Sequence, residues 1–406
     1  MNDPGSHLAL PAIDYGYLEE TLLQLLAIPS PVGLTDAAVR YTAGRLEALG
    51  IPYEITRRGA IRATLRGQAS QPARAVVAHL DTLGAMVRAL KPNGRLDIVP
   101  IGHWSARFAE GGRLTVFTDH GQVRGTCLPL KTSGHAFGDE VDAQPVGWEQ
   151  VEVRVDLPAT CREDLLAAGL EVGDWIAFDP QPEIQPGGYI NARYLDDKAA
   201  VAALLTACKA VRDHRLVLPV DVHPLLTITE EIGSGASAAL HGEIAEMVSL
   251  DISIAAEGQN TSEHAATICM QDMSGPFDYH LTHKLIALAH AHGIPHRRDI
   301  FRYYRSDSAA AVEAGNDIRT ALIGFGGDAS HAQERTHRDA LEALTRLVVA
   351  YMTSEPVARR DCRSMGSLDG FTEQLCPGDM AVPSTPLPAP ETFLGDPAPE
   401  GEAQKR

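Results

Sequence analysis

Positive charge is scarce in this sequence. Thirty-five Lys and Arg residues stand against 53 Asp and Glu, a formal net charge of −18, and no basic run is longer than a pair such as Arg297 and Arg298. A protein that neutralises phosphates needs a positive face, so nucleic acid is excluded as a partner. An acidic membrane surface would repel the chain as well. Long apolar runs are also missing, since nothing approaches the roughly 18 uncharged apolar residues that a spanning helix requires. The opening stretch, MNDPGSHLALPAIDYGYLEE, has neither a basic n-region nor a long apolar h-region, which argues against a secretory leader and for a cytoplasmic protein. The six cysteines include no CxxC pair, which excludes a disulfide scaffold and a thiolate zinc site; they read as reduced thiols. There is no GxSxG elbow and no Cys beside a plausible base, so a serine or cysteine nucleophile has no seat.

What remains is ordinary globular composition, 44% apolar and 22% charged over 406 residues, enough for one large domain and a smaller one. Apolar positions three and four apart predict helices over 15–26 and 35–49. ARAVVAHL (73–80) is a nearly continuous apolar run, as expected of a strand buried on both faces of a parallel sheet. The same texture recurs in HPLLTIT (223–229), at 247–252 and in IRTALIGF (318–325). Helical segments are expected between them, over 197–211, 237–246, 280–292, 308–314 and 340–352. Alternation of this kind means an α/β sheet, mixed and mostly parallel, sandwiched by helices. From 91 to 187, short alternating runs with frequent turn signals predict a small β-barrel inserted into that domain, which then comprises 10–90 and 188–355. Residues 356–406 are rich in Pro, Ala and Glu and are expected to form a disordered tail.

Acids and imidazoles fall where those strands end. His79 and Asp81 follow AVVA, Glu230 and Glu231 follow LLTIT, Asp251 follows MVSL, and His331 follows IRTALIGF after a glycine-rich turn. Asp196 and Asp197 precede a helix in YLDDKAAVAALL. In an open α/β sheet, sites form beyond the carboxyl ends of the strands, so groups remote in sequence should converge there. His nitrogens with carboxylate oxygens and no thiolate are the donors that Zn²⁺, Co²⁺ or Mn²⁺ accept. Two cations need a shared carboxylate plus further ligands on each, and the count is sufficient. The last histidine could be His331 or His337.

HLDTLGAMV (79–87), ARYLDDKAA (192–200), TEEIG (229–233), SLDIS (249–253) and RSDSAAAVEAG (305–315) resemble the tetrahedral-aminopeptidase family of co-catalytic metallopeptidases, also called the glutamyl aminopeptidase and endoglucanase family. GQVRGTCLPLK and LLAAGLEVGDWIAFDP resemble its dimerisation domain. The resemblance spans about residues 15–352. It implies a zinc-peptidase-like fold and two divalent metal ions per subunit. His79 would bind one metal, Asp196 would bridge both, Glu231 and Asp251 would complete opposite metals, and His331 would bind the second. Glu230 would be the general base, with Asp81 holding the other nitrogen of His79. A non-proline cis peptide is implied at Asp196–Asp197. The implied reaction is hydrolysis of small peptides by a water activated between the cations, most simply as an aminopeptidase. Relatives form dimers to dodecamers through the inserted domain.

Ser306 and Asp307 are candidate substrate-binding residues, and RYYR (302–305) offers either a substrate-facing cation or a solvated turn. The segment GGDASHAQERTH departs from the family pattern. With the Pro-rich tail it underlies a narrower resemblance, to bacterial members associated with the osmoprotectant N-acetylglutaminylglutamine amide. Competing readings are a deacylase acting on blocked dipeptides and a non-catalytic assembly protein. The 117 positions between His79 and Asp196 place the insertion between the first two ligands, which favours the aminopeptidase lineage over deacylase relatives.

Overall fold

The computed structural model describes residues 9–240 and 244–374. Helices α1 (Tyr15–Leu26) and α2 (Asp36–Ala48) come first. Asp14 caps α1 by accepting the Tyr17 N–H at 3.0 Å, and Leu18, Leu22, Leu25 and Leu26 form its buried stripe. The hairpin β1 (Tyr53–Ile55) and β2 (Ile61–Ala63) leads into β3 (Ala69–His79), which is buried from Pro72 onward. Strands β4 (Gly84–Leu90), β5 (Leu96–Ile101), β6 (Arg113–Thr118), β7 (Gly121–Pro129), β8 (Val151–Val155) and β9 (Trp175–Phe178) then close an antiparallel barrel in the order β4-β5-β8-β7-β6-β9. Its connections carry α3 (Gly134–Phe137) and α4 (Arg162–Ala167). The barrel starts at Gly84, within residues that the sequence pattern assigns to the α/β domain, because β4 continues the apolar texture of β3 without a break in composition.

The chain returns through β10 (Glu183–Ile184), β11 (Tyr189–Ala192), α5 (Leu195–Asp213), β12 (Val220–Thr227) and β13 (Ile244–Ile254). There follow β14 (Ala266–Asp272), β15 (Gly275–Pro276), α6 (Tyr279–Ala291), β16 (His296–Ile300), α7 (Asp307–Glu313), β17 (Arg319–Asp328), β18 (Glu334–His337) and α8 (Arg338–Thr353). The sheet is mixed. Its order is β1-β2-β12-β3-β13-β17-β18-β11-β10, with β14 beside β17. The four strands β12, β3, β13 and β17 are parallel, and the strands joined to them pair antiparallel, with β16 added parallel to β14.

The helix expected over 237–246 is not found. A single 3₁₀ turn, Ala236–Ala238, precedes β13, which begins at Ile244 and pairs in parallel with β3 and β17. Of that range, the described residues are the end of the 3₁₀ turn, two irregular residues and the first three residues of β13; 241–243 lie outside the described residues. Of the tail expected at 356–406, residues 375–406 lie outside the described residues, and Arg359–Cys362 form a 3₁₀ turn. Among the described residues, no helix is long and apolar enough to cross a membrane.

Register explains what converges. His79 at the end of β3 stands beside Thr227 at the end of β12, and Asp251 near the end of β13 stands beside Gly324. Glu230 and Glu231 form the 3₁₀ turn three residues past β12. The carboxyl ends of the parallel strands therefore supply one cluster.

Candidate active site

Asp196 sits between two imidazoles. Its Oδ1 lies 3.1 Å from His79 Nε2, and its Oδ2 lies 3.6 Å from His331 Nε2 and accepts the Ser330 hydroxyl at 3.1 Å. Each ring is oriented by a backbone carbonyl. His79 Nδ1 donates to Asp81 O, and His331 Nδ1 donates to His103 O, both at 2.9 Å. A carbonyl can only accept, so Nδ1 carries a proton in both rings and Nε2 is the nitrogen turned toward Asp196. His103 follows barrel strand β5, so the inserted domain helps to aim His331.

The remaining acids close around this axis. Glu230 Oε2 is 3.9 Å from His79 Nε2, and Glu231 Oε2 is 3.5 Å from His331 Nε2. Asp251 is buried, and Tyr304 brings a buried hydroxyl beside its carboxylate. Two groups of metal-ligating type result, His79 with Asp196 and Asp251, and Asp196 with Glu231 and His331; within each, the donor atoms lie within 4.8 Å of one another. Asp196 belongs to both. The Asp196–Asp197 peptide is cis, and residues 196 and 197 depart from helical geometry at the start of α5.

Charge in the cluster is one-sided. Burial, followed by repulsion from neighbouring carboxylates, pushes Glu231 and Asp251 well above the ordinary carboxylate range. Burial raises Glu230 and Asp197 in the same direction, with His79 opposing. Asp196 is the exception, because its bonds and charge contacts to His79, His331 and Ser330 outweigh burial and hold it low. The ion pairs these carboxylates make among the described residues are with His79 and His331. Asp197 Oδ2 accepts the His79 N–H at 3.2 Å, and its buried Oδ1 has no partner.

Several expected roles are redistributed. The Asp81 carboxylate does not hold the His79 ring, from which it stands 3.8 Å away. It accepts the N–H groups of Glu230 and Glu231 at 3.2 and 3.1 Å, fixing the turn that carries both acids, while its carbonyl holds the imidazole. Ser306 and Asp307 do not face a substrate cleft, each being only 3% exposed. Ser306 caps α7, and the Asp307 carboxylate accepts Thr227 Oγ1 at 2.7 Å and Ala236 N at 2.6 Å, bracing the chain after the glutamate turn. Gly235 is required there, since a Cβ would stand 2.0 Å from Asp307 Oδ1. Arg305 pairs with Glu313 at 2.6 Å. His331 joins the cluster, and His337 does not.

Glu334 escaped the sequence reading. Buried, it accepts Asp196 N and His331 N, each at 3.0 Å, so one carboxylate fixes the backbone of two site residues. Its only signal is its place three residues after His331. A small cleft lined by Leu83, Trp104, Arg193, Tyr194 and Ala332 opens on Asp196, Glu231 and His331. A larger cavity of about 920 Å³, near Asp278, Arg319 and Arg360, touches none of these groups.

The model of the M42 glutamyl aminopeptidases matches residues 59–347, the sheet, the barrel and the site together. This chain belongs to that family. The M42 chain is 39% identical over 339 residues to the Bacillus subtilis (strain 168) protein named "Putative aminopeptidase YhfE", covering 83% of this chain and 98% of that one. It is 25% identical over 245 residues to the lysyl aminopeptidase of Pyrococcus furiosus, covering 58% and 66% of the two chains. Its fold matches the TET aminopeptidase of Thaumarchaeota archaeon SCGC AB-539-E09 with a TM-score of 0.76 at 19% identity, covering 83% and 96%. It also matches the Pyrococcus horikoshii TET1 peptidase, described as assembling into a tetrahedron or a large octahedral shell, with a TM-score of 0.72 at 21% identity over 83% and 100%. The M42 chain is thus a metallo-aminopeptidase-type hydrolase, and its sheet-end cluster offers the donors such an enzyme needs.

Proposed function

We propose that this M42 enzyme removes residues from the free amino ends of small peptides, with Asp196 bridging two divalent cations, one completed by His79 and Asp251 and the other by Glu231 and His331. The observation that carries this reading is the pair of donor groups sharing Asp196. The donors fit. All are nitrogen or oxygen, both rings turn Nε2 inward, and among the described residues the site carboxylates make no ion pair with Lys or Arg, as expected where a cation is to be received. Zn²⁺ suits this set best, and Co²⁺ or Mn²⁺ is also accommodated. Bound there, such ions would polarise the scissile carbonyl and acidify water.

The side chains supply the rest. Glu230 takes the proton of the attacking water and passes it to the leaving nitrogen; its side chain is 14% exposed, and burial raises its proton affinity toward the working range of a general base. Asp81 and Asp307 hold its turn, and Glu334 holds Asp196 and His331. The barrel is read as a surface between copies in a homo-oligomer, a property printed for the P. horikoshii relative. Five described cysteines are free thiols, which suits the cytoplasm.

The test loads purified enzyme with Zn²⁺, Co²⁺ or Mn²⁺ and compares free with N-acetylated dipeptides. Free dipeptides should be cleaved, and Glu230→Gln should lower kcat by about 10²- to 10⁴-fold with metal content unchanged. Cleavage of blocked dipeptides alone, N-acetylglutaminylglutamine amide among them, would favour the deacylase reading. Inertness with full metal content would favour the assembly protein.

A further inference from the structure

His337, the histidine that the active site does not use, belongs to a second cluster. Its Nδ1 lies 3.1 Å from Asp339 Oδ2, and His264 Nδ1 lies 3.2 Å from the same oxygen. The two rings are 4.3 Å apart, centre to centre. His337 Nε2 faces Gly187 O at 2.8 Å, so that nitrogen carries the ring proton and Nδ1 is left as a lone pair. A lone pair and a carboxylate oxygen at this distance repel unless a positive charge stands between them. His264 adds a third donor.

The surroundings hold these donors in place. Gly188 has φ +92°, and a Cβ there would approach His337 Nε2 to 2.5 Å, so glycine is what admits the ring. The Tyr189 ring packs edge-on against both imidazoles, and its hydroxyl is 3.4 Å from His264 Nε2, leaving Nδ1 of that ring as the inward donor. The neighbouring guanidinium groups are occupied: Arg335 pairs with Glu263 at 2.7 Å, and Arg338 lies over Tyr15.

We propose that His264, His337 and Asp339 form a further divalent transition-metal site, separate from the active-site pair. Two imidazoles and one carboxylate with bonds of about 2.0–2.2 Å require donor separations of about 3 Å, as found here between Asp339 Oδ2 and each ring, with all three donor atoms within 4.8 Å of one another. The chemistry selects Zn²⁺, Co²⁺, Ni²⁺ or Cu²⁺ over Ca²⁺ or Mg²⁺. His264 and Asp339 are half exposed, so the remaining positions are open to water and the ion exchanges. Binding replaces the weak cap in which His337 Nδ1 accepts Asp339 N at 3.2 Å. The ion would join the loop before β14, the end of β18 and the start of α8. In the β11–β18 ladder His337 pairs with Tyr189 and Glu334 with Ala192. The site therefore clamps one end of the ladder whose other end carries the Glu334 contact to the active site.

The test titrates chelator-treated, full-length protein with Co²⁺, reading uptake by calorimetry and by cobalt content after desalting. Wild type should bind one equivalent more than either His264→Ala or Asp339→Asn. That equivalent should persist in Glu231→Ala, whose lesion lies in the active-site pair, so failure of one reading is distinguishable from failure of the other. Equal melting temperatures of the metal-free proteins check that the variants fold. Equal uptake by wild type, His264→Ala and Asp339→Asn would overturn the proposal, as would a histidine proton found by NMR on Nδ1 of His337 in the presence of Co²⁺.

Discussion

Arg74 and His79 leave the same strand, β3, five residues apart, and each enters a buried cluster of ionisable groups. Around Arg74 the chain supplies both signs. The guanidinium lies 3.7 Å from Glu246 and over the Tyr351 ring, Tyr351 donates to Glu246 at 3.0 Å, and Arg74 also donates to the Tyr351 carbonyl. Around His79 it supplies six carboxylates, Asp81, Asp196, Asp197, Glu230, Glu231 and Asp251, and one further imidazole, His331. Burying unpaired charge costs several kcal/mol for each ion, a penalty the first cluster offsets internally and the second leaves for an external cation. The first cluster is a structural device, and the second, on the function proposed above, is a receptor.

The largest expected effect breaks the first cluster. Arg74→Ala leaves Glu246 buried without its partner and should cost about 3–5 kcal/mol of stability by denaturant titration, with peptidase activity per folded molecule retained. The second cluster should behave in the opposite sense. Its raised carboxyls keep protons in the folded, metal-free protein that the unfolded chain releases near pH 4. The folded state then binds more protons, so metal-free stability falls as pH rises above about 4. Zn²⁺ at a fixed concentration, 100 times its Kd at pH 7, should restore about 2.7 kcal/mol per site at pH 7, with a melting-temperature increment that grows with pH as competing protons leave the carboxyls. A flat increment from pH 5 to 8 would break the comparison.

Lys284 sharpens it from the other side. Desolvation near Arg74 holds its ammonium down to about 8, against about 10.4 in the unfolded chain. Below pH 8 both states are charged and the folded protein bears the full penalty. Between the two values the folded form releases its proton first, so stability rises with pH. Lys284→Met should therefore gain at most about 3 kcal/mol at pH 7, and the gain should fade by pH 10.5.

Much of this was readable from the chain itself. A parallel strand buried on both faces leaves a continuous apolar run, and His79, Glu230, Glu231 and Asp251 each end or follow one. β18 left no such run, because ERTH is four residues of a flanking antiparallel strand. Without that strand, only its place nearer the end of IRTALIGF separates His331 from His337. The helix expected at 237–246 overran the true start of β13 at Ile244, because an apolar run buried on both faces has no polar face to tell a strand from a helix. The Asp81 and Asp307 carboxylates were recognised as important, yet Asp81 accepts two backbone N–H groups of a distant turn and Asp307 accepts a hydroxyl and a backbone N–H remote in sequence, pairings that residue type does not encode.

Glu334 offers the finest test, since it ties the Asp196 segment and the His331 segment to one carboxylate. Gln can accept one N–H but presents an amine to the other, so Glu334→Gln should loosen either Asp196 or His331 while leaving every proposed ligand in the chain. Loss of such an orienting group typically weakens metal affinity about 10- to 100-fold. Activity should then recover at excess Zn²⁺ or Co²⁺, with kcat near wild type once the metal is saturating. Recovery would mean that Glu334 acts by holding the ligands. A kcat that stays low at saturating metal would place it nearer the reacting atoms than its hydrogen bonds to Asp196 N and His331 N indicate.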